Sequence, residues 1–348
     1  MTVQQLTGGV PATDVAARAA EPPMLGAEGL VKTYGRTRAL NGLSLHVPRG
    51  SIYGFVGPNG AGKTTTLRIL ATLLAPDSGE AWVDGRPLTA TRSFAAARPL
   101  AAVRAKIGYM PDFFGVYDNL TVSEYLDFYA AAYGVPAAES RRTNAELLEL
   151  VDLAPKRDDF VENLSRGMKQ RLGLARCLVH NPQVLLLDEP ASGMDPRARY
   201  EMREIVKELQ RMGKTVLVSS HILLELAEMC SHIGIIQDGR LLREGPVNVI
   251  LGSLKGARSV RIGLMSEVVP ATDVVARAVA ALGQQPGVSD VVPADGGHLE
   301  VTFAGDDAST AALLRSLVEA GIPVLHFARA TSSLEDIFMQ LTESEDQR

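Results

Sequence analysis

One stretch spaces glycine, lysine and hydroxyl side chains for holding a polyphosphate: Gly57-Pro58-Asn59-Gly60-Ala61-Gly62-Lys63-Thr64-Thr65, the pattern G-x-x-x-x-G-K-T. Gly57 and Gly62 can take backbone angles closed to other residues, so the loop can curl until successive N–H groups point inward at an anion. Lys63 then brings a point charge to the outer phosphates, and the Thr64 hydroxyl is a ligand for Mg²⁺. A second chemical centre is Asp188-Glu189, two carboxylates at the end of the apolar run 184–187. Such a run is buried in a parallel sheet, and ligands of open α/β sheets lie at the carboxyl ends of strands, so both acids should face the phosphate loop. His221 ends another apolar run, 215–220, and belongs at the same sheet edge. Asp112 follows a strand that breaks at Pro111, and Ser165 with Gly167 opens a helix whose N-terminus is a second potential phosphate cradle. Tyr34, followed by Gly35, reads either as a rim or core residue or as a face on which a flat base can stack.

Elements must hold these groups in place. Residues 25–34 and 40–47 read as strands before the loop and 64–74 as the helix after it, stopped by the turn chemistry of 75–79. Residues 80–88 form a small hairpin around the single tryptophan, Trp82, which is expected in the core. From about 113 to 180 the period is helical, over 121–133, 145–151 and 168–179, and Thr121 with Glu124 makes a capping box. This block interrupts the strand alternation and reads as a helical subdomain inserted in an α/β core. A turn at 193–196 opens a helix over 197–212, 233–241 reads as a hairpin and 247–254 as a closing helix. Composition then restarts in a βαββαβα order, which suggests a small α+β domain with an antiparallel sheet and no catalytic cluster.

The 348 residues, 46% hydrophobic and 22% charged, suffice for two domains. A formal charge of −5 and pI near 5.8 leave no basic footprint, so no nucleic-acid partner is expected. Cys177 and Cys230 stand in apolar contexts and read as buried thiols in a reducing cytoplasm. Residues 1–24 read as a disordered extension rather than a signal peptide, and no window is apolar for the roughly twenty residues of a membrane span.

Taken together and in this order, the motifs over residues 25–254 resemble the nucleotide-binding subunit of ABC transporters. Gly57 to Thr65 looks like Walker A, 184–189 like Walker B with its catalytic glutamate, 192–195 like the D-loop, His221 like the switch histidine and Tyr34 like the adenine-stacking A-loop aromatic. Two motifs depart from the family pattern. Leu-Ser-Gly-Gly-Gln is here Leu164-Ser165-Arg166-Gly167-Met168, and the Q-loop glutamine is Asp112, which accepts but cannot donate. The residues Ser333 to Phe338, Ser-Leu-Glu-Asp-Ile-Phe, resemble the C-terminal motif of ABC-2-type exporter subunits.

The resemblance implies a P-loop NTPase of ABC ATPase type over 25–254, with the helical subdomain at about 113–180 and a C-terminal α+β accessory domain over 257–343. It implies ATP and Mg²⁺, the metal held by Thr64, Asp188 through water, and Asp112. Glu189, His221 and Lys63 are the implied catalytic set. Tyr34, the loop 57–65, Ser165 and Gly167 are the implied nucleotide contacts. The implied partners are a second ATPase subunit, identical or paired, and an integral membrane permease on a separate chain, with the protein peripheral at the cytoplasmic face of the cell membrane. A non-transport ABC ATPase of assembly or repair is the competing reading. A P-loop small-molecule kinase is disfavoured because the Ser165 segment would have no role in it.

Overall fold

The computed structural model describes residues 22–88, 97–112, 115, 119–253, 258–265, 271–294, 298–303 and 307–330. They divide into two compact units, 1–221 with 229–242, and 222–228 with 243–348. The strands up to residue 246 are β1 (Leu25–Tyr34), β2 (Thr37–Val47), β3 (Ile52–Val56), β4 (Ser78–Val83), β5 (Arg86–Pro87), β6 (Ile107–Met110), β7 (Val184–Asp188), β8 (Thr215–Ser220), β9 (His232–Gln237) and β10 (Arg240–Pro246). The helices are α1 (Lys63–Leu70), α2 (Ala97–Arg104), α3 (Val122–Ala132), α4 (Ala137–Leu150), α5 (Arg166–Leu178), α6 (Pro196–Arg211), α7 (Leu223–Ala227) and α8 (Val247–Ser253).

Two sheets result, one with the order β2-β1-β4-β5 and a six-stranded one with the order β10-β9-β3-β8-β7-β6. In the latter, β9, β3, β8, β7 and β6 run parallel. β3, β7 and β8 are buried at every position, which is why their sequences are apolar on both faces. The expected run 64–74 gives a shorter helix, because Thr72 takes a left-handed φ of 61° and ends α1 at Leu70. Trp82 is half-buried rather than in the core. Its indole lies on the cross-strand Gly26, where an added Cβ would come within 2.4 Å of the ring, so the absent side chain makes a slot for it on the sheet surface.

α3, α4 and α5, inserted between β6 and β7, are joined by polar contacts as well as apolar ones. Ser140 Oγ and Asn144 Nδ2 on α4 donate to Asp127 Oδ1 on α3, at 2.9 and 2.7 Å. Arg171 on α5 donates to Val151 O and Asp152 Oδ2 beyond α4, at 3.0 and 3.1 Å. The Thr121 box closes in both directions: its Oγ1 accepts from Glu124 N, and its own N–H donates to Glu124 Oε2 at 2.9 Å. Cys177 and Cys230 are buried free thiols. No helix among the described residues is long and apolar enough to cross a membrane.

In the second unit, β11 (Arg258–Leu264), α9 (Ala271–Gly283), β12 (Val288–Ala294), β13 (His298–Phe303), α10 (Asp307–Glu319) and β14 (Val324–Ala330) follow the expected order. The antiparallel sheet runs β12-β13-β11-β14, a ferredoxin-like arrangement. β13 alternates buried Leu299, Val301 and Phe303 with half-buried His298, Glu300 and Thr302, and the buried set packs with Val274 and Leu282 of α9 and Leu317 of α10. The helix expected at 333–341, the motif 333–338 and almost all of the N-terminal extension lie outside the described residues.

The cap yields a stability expectation. Thr121→Ala removes the hydroxyl that accepts from Glu124 N and should lower unfolding free energy by about 1 kcal/mol. Urea unfolding should show a lower midpoint at unchanged slope.

Candidate phosphate site

β3 enters the loop with a glycine because nothing else fits. A Cβ on Gly57 would lie 2.3 Å from Ile236 O of β9. Gly62 needs its glycine twice over, since φ is 110° and a Cβ would be 2.7 Å from Ala39 O. The loop is further tied down by Gly239 N donating to Ala61 O at 2.9 Å and by Thr66 Oγ1 donating to Gly62 O at 2.9 Å. Within the curl, the buried Lys63 ammonium donates to Gly57 O at 2.6 Å and Pro58 O at 3.2 Å, and stands 3.4 Å from Glu189 Oε1.

Both carboxylates arrive at the end of β7, beside the Ser219 and His221 end of β8. Asp188 is 1% exposed; its Oδ1 accepts from Ser219 Oγ at 2.8 Å and its Oδ2 has no protein hydrogen-bond partner. Burial pushes its carboxyl above the usual aspartate range, the Ser219 hydrogen bond and the neighbouring Thr64 hydroxyl pull it back, and the charges of Asp112 and Glu189 add to the rise. Ser219 also accepts from Glu189 N at 3.1 Å. Glu189 has a left-handed φ of 49°, strain on the order of 1–2 kcal/mol for a residue with a Cβ. That conformation turns its carboxylate toward Lys63 on one oxygen and, on the other, toward His221 Nδ1 at 2.9 Å. A carboxylate can only accept there, so the imidazole proton sits on Nδ1.

One cavity of about 310 Å³ adjoins these groups, lined by 58–60, 62–65, Asp112, Glu189, Ser192 and His221, with Gly57, Ala61 and Asp188 behind its lining. The structure thus brings together the loop, both β-strand termini and Asp112. It does not bring Tyr34, Ser165 or Gly167 to that cavity. Tyr34 stands 47% exposed at the end of β1, with Lys32 Nζ 5.9 Å from its ring centroid. Ser165 N-caps α5, accepting from Met168 N at 3.3 Å, on an exposed surface. Sequence reasoning did not single out Ser219, which braces both acids, although its place at the polar end of a buried strand was a usable signal. A larger depression of about 710 Å³ near Lys32, Leu74 and Leu100 contains one acid, Asp77, engaged by Lys32 at 2.8 Å, and no comparable cluster.

The donor set suits a hard cation. The Thr64 hydroxyl and an unpartnered buried carboxylate oxygen of Asp188 are oxygen ligands of the kind Mg²⁺ takes while keeping several waters. Among the described residues, however, no three His, Cys, Asp or Glu side chains converge as a ligand cluster. Asp112 is exposed and acts on Asp188 by charge at a distance.

A glycine-lined loop at the mouth of a parallel sheet, with a buried aspartate and a second acid directly after it at the end of one strand, defines a P-loop nucleoside-triphosphatase with a helical insertion. Residues 40–192 match the ABC transporter family model, and 259–342 match that of the C-terminal domain of DrrA1-3-like ATP-binding proteins. The chain is 35% identical to the Nod factor export ATP-binding protein I of Ralstonia nicotianae over 93% of this chain and 95% of that one. It is 36% identical to the daunorubicin/doxorubicin resistance ATP-binding protein DrrA of Streptomyces peucetius over 90% and 91%. A solved ATP-binding subunit of an ABC transporter superposes at TM-score 0.58 and 29% identity, covering 66% of this chain and 92% of that one. A dimeric ATP-binding cassette solved in a post-hydrolysis state with ADP and Pi superposes at 0.58 and 26% identity, covering 64% and 99%. The chain belongs to the ATP-binding subunits of ABC transporters, and it is an ATP hydrolase of that type.

The buried Asp188 makes a pH-dependent cost. Its native carboxyl titrates above the ordinary 3.8, so the native state binds more protons than the unfolded one in that window and stability falls as pH rises through it. Asp188→Asn should therefore raise the unfolding free energy of the nucleotide-free protein at pH 7 by on the order of 1 kcal/mol. The gain should shrink as pH falls toward 3.8. Urea unfolding of both proteins at pH 7 and pH 4.5 measures it.

Proposed function

We propose that this chain binds and hydrolyses ATP to drive an exporter whose membrane permease is a separate polypeptide, working as a dimer of ATPase subunits peripheral at the cytoplasmic membrane face. The observation that carries the reading is the convergence of Lys63, Glu189 and His221 in one loop-lined cavity, with Lys63 and His221 on opposite oxygens of the same carboxylate. The names of the relatives, Nod factor export and drug resistance proteins, support export over assembly or repair. Residues 25–254 carry the nucleotide chemistry, and 257–343 form an accessory domain.

In this reading the loop amides and Lys63 stabilise negative charge on the transferring phosphoryl group. Glu189 accepts a proton from, or orients, the attacking water, while His221 donates to that carboxylate from Nδ1 and contacts the γ-phosphate through Nε2–H when the ring carries a second proton. Thr64 and Asp188 would hold Mg²⁺, which supplies charge neutralisation at the phosphates when bound, and Asp112 adds negative charge nearby. Tyr34, exposed at the end of β1, stacks on the adenine. Ser165 and Gly167, at the exposed N-terminus of α5, contact the ATP held by the other subunit.

Glu189→Gln should bind ATP as the wild type does, hydrolyse it about 10²- to 10⁴-fold more slowly, and accumulate an ATP-bound dimer on gel filtration. Undiminished turnover would assign the base elsewhere. Purified from membranes of its native host, the tagged wild-type chain should bring down one hydrophobic multi-span polypeptide. Recovery of the chain from the soluble fraction alone would count against the exporter role.

A further inference from the structure

The loop that follows Glu189 is secured at its two ends by its own hydrogen bonds. Ser192 N donates to Glu189 O at 3.0 Å and Met194 N to Ala191 O at 3.3 Å. Downstream, Asp195 caps α6, accepting from Arg197 N and Ala198 N, and Arg199 Nε donates to Met194 O at 3.0 Å. Its middle, Gly193, is covered from another element: a Cβ added there would lie 2.3 Å from Arg166 Cζ, 2.5 Å from Nη1 and 2.6 Å from Nη2. All three guanidinium atoms are nearly equidistant, so the plane of Arg166 lies flat against the bare Cα. Gly193 is also left-handed, at φ 66°. The adjoining Gly167 packs on α6 less tightly, its added Cβ reaching 3.2 Å from Ala198 Cβ.

We propose that Arg166 is a positioning residue for hydrolysis, a flat clamp on Gly193 that fixes the turn holding Ser192 at the cavity wall and Glu189 in its left-handed conformation. The inference rests on the assignment of Glu189 given above. A strained backbone angle at a site persists only where the surroundings over-determine it. The hydrogen bond from Ser192 N to Glu189 O constrains Glu189 from the downstream side, and Gly193 is the next residue along. The clamp thus links the first residue of α5 to the wall of the cavity through a single glycine. A lysine cannot reproduce it, because an ammonium is a point charge without a plane to lay on the Cα.

The test is steady-state ATP hydrolysis by the full-length chain, with unfolding midpoints measured alongside. Arg166→Ala should lower kcat about tenfold with KM for ATP within about twofold, because a group acting on the geometry of Glu189 changes the chemical step and leaves ground-state binding alone. Its unfolding midpoint should match the wild type, since Arg166 is exposed. Arg166→Lys should behave like Arg166→Ala, while Arg166→Gln, with a planar amide, should recover part of the rate. Gly193→Ala should lower kcat, and adding Arg166→Ala to it should cost less than the product of the two single effects. Four results overturn the clamp: Arg166→Ala with kcat within twofold of wild type, full rescue by Lys, a rise in KM at unchanged kcat, or a loss of rate that tracks a fall in the unfolding midpoint. Glu189→Gln serves as the reference. Full turnover in that variant removes the underlying assignment, whereas an inactive Glu189→Gln beside an unaffected Arg166→Ala removes the clamp alone.

Discussion

The site depends on the register of three parallel strands. Asp188 on β7 faces Ser219 on β8, and Ser220 faces Val56, the last residue of β3 before the loop. The hydrogen bond from Ser219 Oγ to Asp188 Oδ1 is therefore a report of alignment as much as a contact. Side chains alternate faces along a strand, so a slip of one residue would turn Asp188 to the opposite face of the sheet and carry Glu189 away from Lys63. Apolar burial on both faces of β3, β7 and β8 holds that register, which is why an aliphatic run as plain as 184–187 is the precondition for the chemistry at its end.

Around that alignment the protein tolerates features that a merely stable fold would avoid. Asp188 is buried with one oxygen unpartnered, Glu189 has a Cβ at positive φ, and the buried Lys63 has its charge turned onto two backbone carbonyls. Each costs free energy in the isolated chain, and all three lie within one loop-lined region. The common cause is a ligand that brings its own charge. In the proposed reading a polyphosphate draws on the lysine and the loop amides, a cation on the orphan carboxylate oxygen, and the strained glutamate is already turned toward the place where a proton must move.

How much of this was readable follows from where the information sits. The phosphate loop is local, its glycines required by φ or by close approach of Ile236 and Ala39, so the motif could be read directly from the sequence. Asp188 and Glu189 were legible because apolar residues carried them. The first half of α4 was not, because apolar periodicity is the wrong signal there. Its inward residues between 137 and 144 are Ser140 and Asn144, buried through hydrogen bonds to Asp127 on another helix. Pattern reading placed the start at 145, where leucines take over. The end of α1 was missed for a backbone reason, the left-handed Thr72. Ser219 was missed since a serine closing a strand looks like any other until its partner strand is known.

The two departures from the family pattern carry opposite charges and act in different ways. Asp112, where the family has a neutral glutamine, lines the cavity and makes the ionised form of Asp188 harder to sustain. An amide there could donate a hydrogen bond but would exert no such field. Arg166, where the family has a glycine, brings a cation to the opposite flank of the same carboxylate-bearing turn, and it meets that turn by shape, laid on the one residue there without a Cβ. The first change alters the potential at the buried Asp188, and in our proposal the second alters the stiffness of the segment beyond Glu189. Both leave the loop, the strand register and the Lys63–Glu189–His221 line intact. A cassette can therefore vary at these two positions and keep the strand register, because neither residue belongs to the sheet that sets it.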